Sequence, residues 1–81
     1  MENSLKDLLN YLATSIVDEP DKVEIEEEQI GDGKTALRLR VAQPDMGKII
    51  GRQGKTAKAI RVLLSAAAAK RGIFFTMDIV D

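Results

Sequence analysis

The sequence predicts one α+β domain in which helices cover one face of a three-stranded sheet, in the order α-β-β-α-α-β. Three observations support this prediction. The chain has 81 residues, which is enough for one hydrophobic core and not for two. Two segments alternate apolar and polar side chains on either side of a Gly-Asp-Gly turn, as a β-hairpin does. Helical spacing before and after the hairpin and a C-terminal segment rich in β-branched and aromatic residues supply the other elements. We therefore assign residues 1–81 to a single domain.

The first predicted element is an amphipathic helix over residues 4–17. Its apolar side chains recur three and four residues apart, which places them on one helix face. Ser4 can cap the N-terminus, and Asp7, three residues later, completes a weak capping box. Pro20 predicts the end of the helix, because the residue before a proline is disfavoured in the helical conformation.

Residues 22–28 and 35–41 are predicted to pair as an antiparallel hairpin with Asp32 at its tip. In that register, apolar side chains meet on one face of the hairpin, and acids meet arginines on the other. The opposed residues are Ile25 with Leu39, Glu26 with Arg38, and Glu24 with Arg40.

Two helices and a strand are predicted to follow. Pro44 can begin a short helix that ends before Gly51. A second helix is predicted over residues 56–71, where two basic residues and then Gly72 form a C-terminal signature. Residues 73–80 are predicted to form the last strand. The side chains expected to face the core are Ala57, Ile60, Leu63, Leu64, Ala67 and Ala68 of the helix, and Ile73, Phe75, Met77 and Ile79 of the strand.

Composition excludes several classes of function. The chain has no cysteine and no histidine, so disulfides, thiolate nucleophiles, zinc fingers and Ser-His-Asp triads are excluded. We expect no enzyme, no metal and no cofactor. The apolar runs are far shorter than the roughly 20 residues of a membrane span. The N-terminal residues lack the pattern of a secretory signal, so we expect a cytoplasmic protein.

Charge is divided unevenly along the chain. Residues 1–33 contain two bases and ten acids, whereas residues 34–81 contain ten bases and three acids. Seven bases and no acid lie between Met46 and Arg71. A segment this basic is compatible with a nucleic-acid partner, although the whole chain has a formal net charge of −1.

The basic segment contains the sequence Gly51-Arg52-Gln53-Gly54 between two predicted helices. Glycines three residues apart allow a sharp turn and let a sugar–phosphate backbone approach the main chain. Backbone N–H groups at the start of the following helix can donate to phosphate oxygens, and neighbouring lysines add positive charge. Contacts of this type position a strand without reading its sequence.

This loop resembles the GxxG loop of the KH-domain family, which clamps single-stranded nucleic acid. The element order is that of the type II, prokaryotic KH fold, and the resemblance covers nearly the whole chain. The stretch GKIIGRQGKTAKAIR, residues 47–61, is similar to the KhpA family of small bacterial RNA-binding proteins.

The resemblance implies a protein that binds single-stranded RNA and acts as an RNA chaperone or post-transcriptional regulator. It also implies a homodimer, or a heterodimer with a KhpB (Jag-like) KH protein. The loop would hold the RNA backbone, the isoleucines would support the bases, and the lysines would face phosphates. The residues expected to bind RNA are Lys48, Ile49, Ile50, Gly51, Arg52, Gln53, Gly54, Lys55 and Lys58.

The same residues are compatible with other interpretations. Taken alone, the two glycines are typical of a plain helix–helix turn. Lys58 and Arg61 fit either a ligand site or a solvated helix face, whereas Lys70 and Arg71 favour the solvated face. A phosphate-binding P-loop is excluded, because that motif needs glycine where Ile49 stands and a strand leading into the loop. A different class of function is a protein–protein adaptor, in which the alanines of residues 66–69 allow close helix packing.

Overall fold

The computed structural model describes residues 4–80, and the predicted α+β order is confirmed. Residues 1–3 and 81, which belong to the predicted single domain, lie outside this description. Within residues 4–80, the helices are α1 (Leu5–Ile16), α2 (Met46–Ile50) and α3 (Lys55–Arg71). The strands are β1 (Glu24–Gly31), β2 (Lys34–Arg40) and β3 (Phe74–Val80), and single turns of 3-10 helix span Pro20–Lys22, Gln43–Asp45 and Arg52–Gly54.

The sheet has the order β1-β2-β3, so β2 is central. β1 pairs antiparallel with β2, and β3 pairs parallel with β2. A parallel neighbour requires a crossover connection, which here consists of α2, the glycine loop and α3. β3 lies at the edge of the sheet, so every second residue directs its backbone N–H and C=O groups away from β2, where the described part of the chain has no further strand.

α1 begins with the predicted capping box. The Asp7 N–H donates to Ser4 Oγ at 3.1 Å, and the Ser4 N–H donates to Asp7 Oδ2 at 3.3 Å. These two bonds satisfy backbone donors that a helix N-terminus otherwise leaves unpaired. The helix ends at Ile16, because Val17 already has an extended backbone.

The hairpin register is confirmed, but its ion pairs differ from the prediction. Glu26 lies opposite Arg38 in the ladder, yet Arg38 pairs with Glu28 at 3.3 Å. Arg40 likewise reaches the diagonal residue Glu26, at 3.9 Å. Long arginine side chains can reach the diagonal neighbour on a twisted sheet. All four side chains are well exposed, so these pairs add little stability.

The core lies between the inner face of the sheet and the helices. Fully buried leucines and isoleucines come from α1, β2, α2 and α3, namely Leu9, Leu37, Leu39, Ile49 and Leu64. One prediction about this core is wrong: Leu63 is 50% exposed. Each helical residue turns the chain by about 100°, so Leu63 lies well away from the buried position of Leu64. No helix within residues 4–80 is long and apolar enough to cross a membrane.

Candidate nucleic-acid interface

The loop between α2 and α3 has an unusual backbone. The φ angle is +77° at Gly51, +58° at Gln53 and +74° at Gly54. Gly51 combines this φ with a ψ of 171°, a region that only glycine adopts readily. A Cβ on Gly51 would also overlap the side chain of Thr56 and lie 2.7 Å from the Thr56 backbone nitrogen. The first glycine is therefore required both by its dihedral angles and by the close approach of α3.

The turn presents its two central side chains to solvent. The Gly54 N–H donates to the Gly51 carbonyl at 3.1 Å and closes the turn, while Arg52 and Gln53 are exposed. Lys55 begins α3, whose first backbone N–H groups have no partner inside the helix. The Lys55 N–H donates to the Arg52 carbonyl, and the backbone N–H groups of the first turn of α3 after it lie beside the positive charges of Arg52 and Lys55, which makes this a surface suited to an anionic backbone.

The two isoleucines before the loop have separate roles. Ile49 is fully buried in the core, whereas Ile50 is 40% exposed beside the loop. Ile49 therefore supports the surface from beneath, and its side chain is not available for direct contact with a ligand. Ile50 is the apolar side chain that a base could reach.

Lys48, one turn before Gly51, is held by two carboxylates. Its Nζ lies 2.5 Å from Asp18 Oδ2 and 3.7 Å from Asp45 Oδ1. The hydrogen bond and charge of Asp18 raise the pKa of Lys48 above its ordinary value, so the ammonium remains charged at neutral pH. The sequence prediction placed Lys48 against phosphates, and in this structure the lysine already has anionic partners.

Asp45 ties the site to the rest of the fold. This carboxylate is 1% exposed and accepts backbone N–H bonds from Asp18 at 3.2 Å and Glu19 at 3.0 Å. It thus joins the connection after α1 to the start of α2, the helix that leads into the loop.

Replacing Asp45 with alanine should lower the free energy of unfolding by about 1–3 kcal/mol, because two partly buried N–H groups lose their acceptor. Urea denaturation followed by circular dichroism measures this. The variant Asp21→Ala, at an exposed position of the same connection, serves as the control and should change stability by less than about 0.5 kcal/mol. Equal losses in both variants would contradict the assigned role of Asp45.

α3 packs beside the edge strand β3, and the surface along this contact, from Lys58 and Arg61 to Ser65 of the helix, is termed the furrow. Arg61 on α3 donates from Nη2 to the carbonyl of Met77 on β3 at 3.0 Å. Lys58 lies one turn closer to the loop and is exposed. The sequence is compatible with Arg61 either in a ligand site or on a solvated helix face, and its contact with Met77 places it on the surface between α3 and β3. The sequence signal for this position is the spacing of three residues between Lys58 and Arg61, which places both on one face of α3.

The predicted site residues thus fall into three groups. The loop residues and Lys55 lie together, and Lys58 continues from them along α3. Ile50 lies beside the loop at the surface, and Ile49 lies below it. Lys48 is engaged by Asp18 of the connection after α1 and by Asp45, three residues before it in the chain.

Comparison with known proteins identifies the class of protein to which this chain belongs. The family model described as KhpA/KhpB, KH domain matches residues 6–79, so the chain is a KH-domain protein. In a crystal structure of a variant of Aquifex aeolicus Era, the matched fold covers 94% of this chain and 30% of that one, with a TM-score of 0.61. The sequences are 16% identical, so this likeness concerns the fold alone.

Similar proteins identify the family within the KH-domain class. Proteins named RNA-binding protein KhpA are 45% identical in Clostridium acetobutylicum, over 94% of this chain and 100% of the relative. The relative in Chlamydia caviae is 42% identical, over 95% of this chain and 97% of the relative. The relative in Bacillus subtilis is 41% identical, over 99% of this chain and 98% of the relative. The chain belongs to the KhpA/KhpB family of KH-domain proteins.

Proposed function

We propose that this protein binds single-stranded RNA without catalysis and holds the RNA backbone at the loop of residues 51–54. The observation that carries the proposal is the loop backbone, in which positive φ angles at Gly51, Gln53 and Gly54 form a side-chain-poor turn before α3. Such a turn admits a phosphate close to backbone N–H donors. Membership in a KH family, whose relatives are named RNA-binding proteins, supports the same conclusion.

From the loop, the strand would follow the furrow between α3 and β3. Lys55 and Lys58 would face phosphates, and Ile50 would support a base. The loop itself carries no aromatic ring, so base contacts beside it depend on aliphatic packing and hydrogen bonds. Affinity from one copy should therefore be modest, and its dependence on base sequence weak.

Fluorescence anisotropy with a short labelled single-stranded RNA tests the proposal. Binding should weaken with salt at a log–log slope of about −2, because about 0.7 counterion is released for each of roughly three phosphate contacts. A DNA strand of the same sequence tests the choice of RNA and should bind more weakly. A slope near zero, or no binding at low salt, would contradict backbone clamping.

Asp18 should limit the affinity for RNA, because a phosphate must compete with its carboxylate for Lys48. Asp18→Asn should strengthen binding about two- to fivefold at low salt, since an exposed ion pair is weak and its loss frees Lys48 for a phosphate. The salt slope should steepen by about 0.7 as Lys48 gains a phosphate contact. Anisotropy titrations at several salt concentrations measure both effects.

The control for this variant is Asp21→Asn, which makes the same charge change further along the same connection. In a Lys48→Ala background, Asp18→Asn should have no more effect than Asp21→Asn. If Asp21→Asn strengthens binding equally in the wild-type background, the effect is one of net charge and not of Lys48.

A second candidate role, dimerisation, is favoured by the outer side of α3. Val62 is 60% exposed and Leu63 is 50% exposed, and exposed Ala59 and Ala66 lie on the same side. Of the alanine run at residues 66–69, Ala68 is buried in the core and cannot serve an interface. The proposed partner is a second copy or a KhpB (Jag-like) KH protein, and pairing would add avidity to a weak site.

Light scattering after size-exclusion chromatography tests this pairing. Wild type should show a concentration-dependent dimer mass, and Leu63→Glu should remain a monomer with unchanged circular dichroism. A dimer that persists in Leu63→Glu would assign the interface elsewhere.

We propose that the protein acts as a cytoplasmic RNA chaperone or post-transcriptional regulator. If the dimer forms but RNA does not bind, the adaptor function is favoured.

A further inference from the structure

The far end of the furrow carries an exposed aromatic ring. Phe74, the first residue of β3, is 70% exposed. It lines a cavity of about 300 Å³ together with Ser65 and Ala69 of α3 and the half-buried Phe75. It also lines a neighbouring cavity of about 220 Å³ with Ile30 and Lys34 of the hairpin. The ring therefore stands on the rim between these two surfaces.

This cavity lies beside α3, further from the loop than the contact of Arg61 with β3. Along α3, Arg61 contacts β3 at Met77, and one turn later Ser65 lines the cavity beside Phe75. The helix and the strand thus run past each other in opposite directions. α3 has 17 residues and a length of about 25 Å, so the ring of Phe74 lies roughly that far from the loop.

The surroundings of Phe74 are positively charged. Lys34 pairs with Phe74 in the ladder and lines the same cavity. Lys70 and Arg71 form the last turn of α3, just before β3. Asp32 at the hairpin tip is the acid in the turn next to them. The charged side chain that lines a cavity with Phe74 is that of Lys34, and two more bases stand in the adjoining last turn of α3, so an anionic occupant fits the charge at this end of the helix.

We propose that Phe74 is a stacking platform for an unpaired base of the same strand whose backbone is held at residues 51–54. The inference rests on the proposed function and extends the footprint to the end of α3. Single-strand binding sites combine a positively charged groove with aromatic faces, because every base has a π-face that can stack. Lys34, Lys70 and Arg71 contact the phosphates on either side of the stacked base.

A tryptophan probe tests this directly, because the chain contains no tryptophan. In Phe74→Trp, a ten-nucleotide oligouridylate should quench the fluorescence, whereas a four-nucleotide oligouridylate bound at the loop should quench it much less. Tyr11 on α1 is 69% exposed and lies outside the furrow, so Tyr11→Trp is the matched control and should show no quenching by either RNA.

Affinities measured with labelled RNA complete the test. Phe74→Ala should weaken binding of the ten-nucleotide RNA about tenfold and leave the four-nucleotide RNA unchanged, since stacking on one ring accounts for about that factor. Phe74→Trp should retain the affinity of the wild type. Circular dichroism should be unchanged in both variants, because the ring is mostly exposed.

Three results would overturn the inference. The ten-nucleotide RNA could bind wild type and Phe74→Ala equally, which leaves the proposed function intact. The fluorescence of Phe74→Trp could change with protein concentration in the absence of RNA, which would assign Phe74 to a protein interface. If neither RNA binds the wild-type protein, the proposed function fails and this inference fails with it.

Discussion

A variant with Arg52→Asp and Gln53→Asp is expected to lose measurable RNA binding and to keep its fold. Both side chains are exposed at the tip of the loop and make no contribution to the core. The substitutions replace one positive charge with two negative charges at the place where a phosphate would bind, so attraction becomes repulsion. Aspartate also tolerates the left-handed backbone at position 53. Anisotropy at low salt should show an affinity at least about 100-fold weaker than that of wild type, which corresponds to about 2.7 kcal/mol.

The control for this variant makes the same charge change elsewhere. Lys6→Asp with Asn10→Asp alters two exposed positions of α1. It should weaken RNA binding less than about threefold, because a Debye length of about 8 Å screens distant charges at physiological salt. Full RNA affinity in the loop variant would contradict the assignment of the loop. Equal loss in both variants would show that net charge, not the loop, decides binding.

The largest expected loss of stability follows from Gly51→Ala. Alanine at this position is strained by its backbone angles, at a cost of about 1–3 kcal/mol. Its Cβ also lies 2.7 Å from the Thr56 backbone nitrogen, and relieving that overlap costs about 1–3 kcal/mol more. The combined loss of about 2–6 kcal/mol is large for a domain of this length, whose total stability is about 4–12 kcal/mol. Thermal unfolding should show a Tm at least about 10 °C lower.

Gly47→Ala is the matched control for this substitution. Gly47 lies inside α2, and a Cβ there would meet nothing within 4 Å. Alanine favours the helix over glycine by up to about 1 kcal/mol, so the Tm should stay the same or rise. A Tm for Gly51→Ala within about 2 °C of wild type would show that the loop can rearrange to accept a side chain.

Local patterns were sufficient to predict most of the fold. The register of the hairpin followed from matching both faces about Asp32, because a slip of one residue would expose every apolar side chain. The capping box at Ser4 and Asp7 was readable because its two residues stand three apart in the chain. The position of the glycine loop also followed from the helix signals on either side of it.

Contacts between distant segments could not be predicted in this way. Lys48 was predicted to face phosphates from its place beside the loop and from the family resemblance. Its partner Asp18 lies thirty residues away, in the connection after α1, and no local pattern links the two. The link from Arg61 to Met77 depends on how closely α3 approaches β3, which no local pattern encodes. The diagonal ion pairs of the hairpin depend on sheet twist and side-chain length, neither of which the register contains.

The parallel pairing of β3 with β2 has a consequence for when the protein becomes active during its synthesis. Lys34 pairs with Phe74 across a crossover that contains the whole loop of residues 51–54. The loop leaves the ribosome before β3, but its support depends on core residues such as Met77 that β3 supplies. Nascent chains that end before residue 74 are therefore expected to be inactive. RNA binding at the loop should begin only once β3 is free to pair with β2.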